Sequence, residues 1–227
     1  MDRRLEQAYG SAPPRSARDP ISELVLTILS QNTSDRNSLA AFESLSRAFP
    51  TWERVAAAPV AEVEAAIRIG GLFALKAVRI QTVLRQIARQ EGTLSLESLR
   101  KASTNEVSTY LCSLPGVGLK TAACVALFAL GKAAFPVDTH VLRVARRVGL
   151  IPERAGAAEA HRQLAEAVPP DRRYAFHVHL IEHGRAVCRA PRPRCPACPV
   201  TDLCDYFQRQ EPGPLPAPAR RAAPSRR

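Results

Sequence analysis

Residues 121–130 read Thr-Ala-Ala-Cys-Val-Ala-Leu-Phe-Ala-Leu, and this run constrains the fold more than any other. A helix built from it has no polar face to turn to water. It must therefore be surrounded on almost every side and lie at the centre of a core. At ten residues the run is too short to span a bilayer, which takes roughly 20. Leu114-Pro115-Gly116-Val117-Gly118 stands directly before it. The expectation is a tight turn followed by a central helix from about Lys120 to Leu130.

The remaining apolar residues recur at steps of three and four, the period of helices that pack against such a centre. Asp19-Pro20 supplies a cap and a first-turn proline for a helix carrying Ile21, Leu24, Val25, Ile28 and Leu29. Ser34 or Asp35 opens the next, with Leu39, Phe42, Leu45 and Phe49 on one face, and Pro50 closes it. A short helix follows Pro59 and stops at Gly70-Gly71. Another is predicted from about Leu72 to Arg89, with Leu75, Val78, Thr82 and Ile87 inward. Ser103-Thr104-Asn105-Glu106 matches a capping box and starts a helix to Ser113. Asp138 caps a helix to about Val148, and two more are predicted at about 157–168 and 173–186. No segment alternates as a strand would, so the fold class is all-α. Residues 211–227 form a Pro-rich basic tail that cannot build a core and is expected to be disordered.

Charge points to the partner. Lys and Arg total 32 against 21 Asp and Glu, a net +11, which suits a polyanion whose counterions are released on binding. No apolar leader follows Met1-Asp2-Arg3-Arg4, so a chain without membrane attachment, in the cytoplasm, is expected.

Four features carry chemistry. Glycines at 116 and 118 let backbone amides approach a bound anion at a helix start, although a plain helix–helix turn has the same form. Lys120 sits where an apolar helix begins. An amine there is poorly solvated and faces the positive end of the helix dipole, which suits a nucleophile; a phosphate-binding lysine is the other reading. Asp138 is an N-cap held rigidly enough to serve as an oriented carboxylate. Cys188, Cys195, Cys198 and Cys204 follow the spacing C-x6-C-x2-C-x5-C, which can enclose one tetrahedral metal or one cubane cluster. The loop they bound carries Arg189, Arg192 and Arg194, a surface suited to phosphates. Cys112 and Cys124 read as core residues.

Taken in order, 114–122, then Val137-Asp138-Thr139-His140, then the four-Cys loop, the chain resembles the endonuclease III branch of the helix-hairpin-helix (HhH-GPD) DNA glycosylases over about residues 20–207. That resemblance implies two helical domains with a DNA-binding cleft between them. One is a six-helix domain at 21–132. The other joins 1–20 to 133–210 and carries a [4Fe-4S] cluster on the four cysteines. It implies removal of oxidised pyrimidines from damaged double-stranded DNA, with Lys120 attacking the sugar, Asp138 assisting, and β-elimination cutting the strand. It also marks two loops that fill the gap left by a flipped base. One holds Gln31 and Asn32, where many members carry Gln at the position of Asn32. The other holds Leu72. The hairpin residues Leu114, Gly116, Val117 and Gly118 and the three loop arginines complete the expected DNA contacts. A monomer on nucleoid DNA is expected. Competing readings are a monofunctional mismatch or adenine glycosylase, a pyrimidine-dimer glycosylase, and a non-catalytic DNA-binding module.

Overall fold

The computed structural model describes residues 1–15 and 18–210. The tail at 211–227 lies outside the described residues. All regular structure among those described is helical. The α-helices are α1 (Asp2–Tyr9), α2 (Pro20–Ser30), α3 (Asp35–Ala48), α4 (Trp52–Ala57), α5 (Val60–Ile67), α6 (Phe73–Glu91), α7 (Thr104–Cys112), α8 (Leu119–Cys124), α9 (Thr139–Arg147), α10 (Ala157–Ala167), α11 (Arg173–Ala186) and α12 (Asp205–Gln210). None is long and apolar enough to cross a membrane.

The helix starts follow side-chain chemistry. Asp19 accepts from the amides of Ile21 and Ser22, and Ser34 accepts from Asn37 N. Ser103 and Glu106 form a reciprocal capping box, and Thr51 caps the short α4. Each such cap contributes about 1 kcal/mol. Three helices, α1, α4 and α12, have no counterpart in the sequence expectations. The first is held from outside: Arg172 pairs with Asp2 (2.7 Å) and Glu6 (2.6 Å), and His179 Nε2 donates to Gly10 O at 3.0 Å.

The predicted central helix forms, but its second half is wider than α. Val125–Ala129 is a π-helical turn. Leu130 N donates to Val125 O at 3.1 Å and Lys132 N to Ala126 O at 2.8 Å. Around it, α2, α3, α5, α6 and α7 bury one apolar cluster running from Ile21 to Ala134. A second cluster joins Leu5 to residues from Phe135 to Cys204, contributed by α9, α10, α11 and the Cys loop.

The inward face of α6 differs from the expected one. Leu75 and Val78 are half-exposed, at 56% and 52%. The buried face holds Lys76, Ala77, Ile80, Gln81, Val83, Leu84 and Ile87. Polar groups occupy that face because their partners are backbone carbonyls of other loops. Gln81 Nε2 donates to Val55 O and Ala58 O, both at 2.8 Å.

Candidate active site

The hairpin is built from its apolar anchors. Leu114 and Val117 are buried, and Val117 N donates to Leu114 O at 3.1 Å, closing the turn. Their side chains therefore serve the core, and the turn presents backbone to solvent through exposed Pro115, Gly116 and Gly118. Gly116 has φ +72°, which an L-residue adopts only with strain. It is glycine for a second reason: a Cβ there would collide with the guanidinium of Arg79. That guanidinium donates to Gln31 Oε1 at 2.6 Å, and Gln31 Nε2 in turn donates to Thr121 Oγ1 at 3.4 Å. Gln31 is thus committed to tying its loop to α6 and α8. Asn32 beside it is exposed.

Lys120 is the second residue of α8 and is half-buried. Asp138 caps α9, its Oδ1 accepting from Val141 N at 2.8 Å, and is also half-buried. Two buried groups register both. His177, on α11, donates from Nδ1 to Pro136 O at 3.0 Å and packs edge-on to Phe128 and Phe135. Burial pushes its pKa down to about 4, against the pull of Asp138 and with Lys120 adding to the push. A neutral ring donating from Nδ1 keeps Nε2 as an acceptor. Cys124 is buried one turn beyond Lys120 on the same helix. Burial raises the thiol to about 11, opposed by Lys120, with Glu23 and Asp138 adding to the rise. Lys120, Asp138 and Glu23 therefore act within one region, although they start from three helices.

Glu23, His177, Arg79 and Lys76 were not singled out by sequence. Glu23 is 7% exposed on α2; burial raises its pKa, offset by Arg18, Lys120 and the Thr27 hydroxyl. In a sequence it reads as a first-turn acid complementing the helix dipole. Its only signal is Thr27, buried four residues on and so on the same face.

Among the described residues, three other than glycine carry left-handed backbone: Asn32 (φ +52°), Leu72 (φ +49°) and Arg192 (φ +53°). Each such residue costs about 1–2 kcal/mol and needs its surroundings to enforce it. All three are exposed, and all three lie on segments expected to meet DNA.

The four cysteines at 188, 195, 198 and 204 line one small pocket, with Tyr206 and Phe207 among its walls. No three Cys, His, Asp or Glu side chains among the described residues converge closely enough to hold a single ion. Four thiols lining one pocket make an all-sulfur donor set, of the kind that iron–sulfur clusters use. Helix α9 braces this loop: Arg143 Nε donates to Cys188 O at 2.9 Å, and Arg147 donates to Arg189 O at 2.7 Å and Ala190 O at 2.9 Å. Arg189, Arg192 and Arg194 are exposed on it.

Relatives agree with this assembly. The chain is 31% identical to endonuclease III of Thermotoga maritima over 195 residues, covering 86% of this chain and 87% of that one. It is 41% identical over 162 residues to the glycosylase-like protein At3g47830 of Arabidopsis thaliana, covering 71% of this chain and 55% of that longer one. Two solved endonuclease III–DNA complexes, a trapped covalent intermediate and a non-covalent complex, match with TM-scores of 0.78 and 0.79 at 28% identity. Each match covers 92% of this chain and 94% of the solved one. Residues 25–170 match the family model described as HhH-GPD superfamily base excision DNA repair protein. The chain belongs to that superfamily.

Proposed function

We propose that the protein is a bifunctional DNA glycosylase and abasic-site lyase acting on oxidised pyrimidines in duplex DNA. The observation that carries this is the placement of half-buried Lys120 at the head of α8, directly after the glycine hairpin, and of half-buried Asp138 at the cap of α9, in a chain that matches endonuclease III–DNA complexes over 92% of its length. The Lys120 amine attacks C1′ of an extruded nucleotide, the C1′–N bond breaks, and the base leaves with the bonding electrons. Asp138 stabilises the positive charge that develops on the sugar. The amine then gives up a proton as the C1′–O4′ bond opens, O4′ becomes a hydroxyl, and Lys120 remains bound as a Schiff base. Loss of a C2′ proton then expels the 3′ phosphate and cuts the strand.

DNA is held by charge and fixed by shape. The cleft lies between a six-helix domain at 21–132 and a second domain formed by 1–20 and 133–210. Amides of the hairpin at Gly116 and Gly118 approach one phosphate, with Leu114 and Val117 anchoring the turn from beneath. Arg189, Arg192 and Arg194 contact others. Asn32 and Leu72 occupy the stack where the base has left, while Gln31 braces the first loop. The protein works as a monomer on chromosomal DNA.

Cys188, Cys195, Cys198 and Cys204 would hold a [4Fe-4S] cluster, which supplies a structural staple for the arginine loop. Purified protein should absorb broadly in the visible blue, bleach on acidification, and contain iron and sulfide in equal amounts. A colourless protein with one bound zinc would overturn this assignment.

The reading as a whole is tested with single-lesion duplexes carrying thymine glycol, hydroxylated pyrimidines, mismatches, dimers or an abasic site. Cleavage of oxidised-pyrimidine duplexes without alkaline work-up is expected. Cleavage only after alkali would make the enzyme monofunctional, and binding with neither outcome would leave a DNA-binding module.

A further inference from the structure

We propose that Lys76 is a positioning residue that locks the Asn32 and Leu72 tips together, so that they enter the duplex as one rigid part. This inference rests on the glycosylase reading above. Lys76 is 2% exposed, among the most buried large side chains in the molecule. An ammonium has three N–H donors, and all three are spent on the two loops. Nζ donates to Leu29 O at 2.7 Å, to Thr33 Oγ1 at 2.5 Å and to Gly70 O at 2.8 Å. The Thr33 hydroxyl closes the ring by donating to Gly70 O at 2.5 Å. Asn32 lies between two of these partners in sequence, and Leu72 lies two residues beyond the third.

The energetics argue against a role in packing alone. A buried ammonium bonded to neutral oxygens carries a desolvation cost that Met would avoid at similar volume. Burial accordingly lowers its pKa. What Lys76 provides that Met cannot is direction, because it joins the end of α2 to the end of the turn at 68–70. Each tip sits in left-handed backbone that relaxes unless its flanks are fixed. Unstacking a base step is itself unfavourable, and ordering loose loops at the same moment would add the entropy cost of fixing each residue. A clamp made in the free protein meets that ordering cost during folding.

The test separates wedge function from chemistry. A single-stranded oligonucleotide with one abasic site has no stacked duplex for a wedge to enter. Its duplex counterpart, with 2-aminopurine beside the abasic site, reports unstacking by fluorescence whether or not cleavage occurs. Lys76→Met should abolish the fluorescence rise and slow single-turnover duplex cleavage about tenfold or more, while single-strand cleavage stays within about twofold. Thr33→Val, at a partly exposed residue, should weaken both duplex readouts in the same direction. Thr33→Ser, which keeps the hydroxyl, should restore them. An undiminished fluorescence rise in Lys76→Met and Thr33→Val would overturn the inference, as would equal losses on single and double strands. If the wild-type protein unstacks the duplex but cleaves neither substrate, the lyase reading fails while the clamp stands or falls on fluorescence alone.

Discussion

Lys120→Gln should abolish the covalent complex that borohydride traps between protein and abasic DNA, and should slow strand cleavage by roughly 10⁴-fold or more. Glutamine has a similar reach and remains a good helix former, so α8 should keep its place. What disappears is the only atom at this position that can form a Schiff base. DNA affinity should fall far less than the rate, because the hairpin backbone and the exposed arginines are untouched. Sodium dodecyl sulfate gels of reduced mixtures read the trapped species directly. Persistence of the trapped band in the variant would show that a different amine attacks the sugar.

Asp138→Asn should slow base excision about 10²–10³-fold with little change in melting temperature. Asparagine caps helices about as well as aspartate, so the bond from Val141 N survives while the charge is lost. Asp138→Ala loses both, and should add about 1 kcal/mol of destabilisation to the same kinetic defect. Comparing the two separates the capping role from the electrostatic one. Cleavage of a preformed abasic site should suffer less than base release in either variant, since the step that charges the sugar has already passed. Wild-type base excision in the Asn variant would remove Asp138 from the chemistry and leave it as a cap.

Local chemistry made much of this molecule readable before any coordinates. Caps at Asp19, Ser34, Ser103 and Asp138 fall where their side chains satisfy free amides, and that rule needs only near neighbours. The four-Cys spacing and the glycine hairpin are local in the same sense. What escaped depends on contacts distant in sequence. The face of α6 was misread because Leu75 and Val78 look like core residues and Lys76 looks like surface; the carbonyls that make Lys76 an inward residue belong to Leu29 and Gly70. Helix α1 was missed because its stability comes from Arg172 and His179, far along the chain. His177 matters through neighbours from four different segments, and no spacing encodes that.

The wide turn at Val125–Ala129 has a consequence for Lys120 and Asp138, the pair proposed to act together. An α-helix advances about 100° per residue, so a turn that holds one extra residue acts as a phase shifter between the chain on its N-terminal side and the chain on its C-terminal side. Lys120 stands on the first side and Asp138 on the second. The azimuth at which the chain leaves the helix toward Gly131 is therefore set by the π turn, and an irregular segment carries it from there to the Asp138 cap of α9. The starting direction of the path from Lys120 to Asp138 is in this sense a matter of angular timing along a helix.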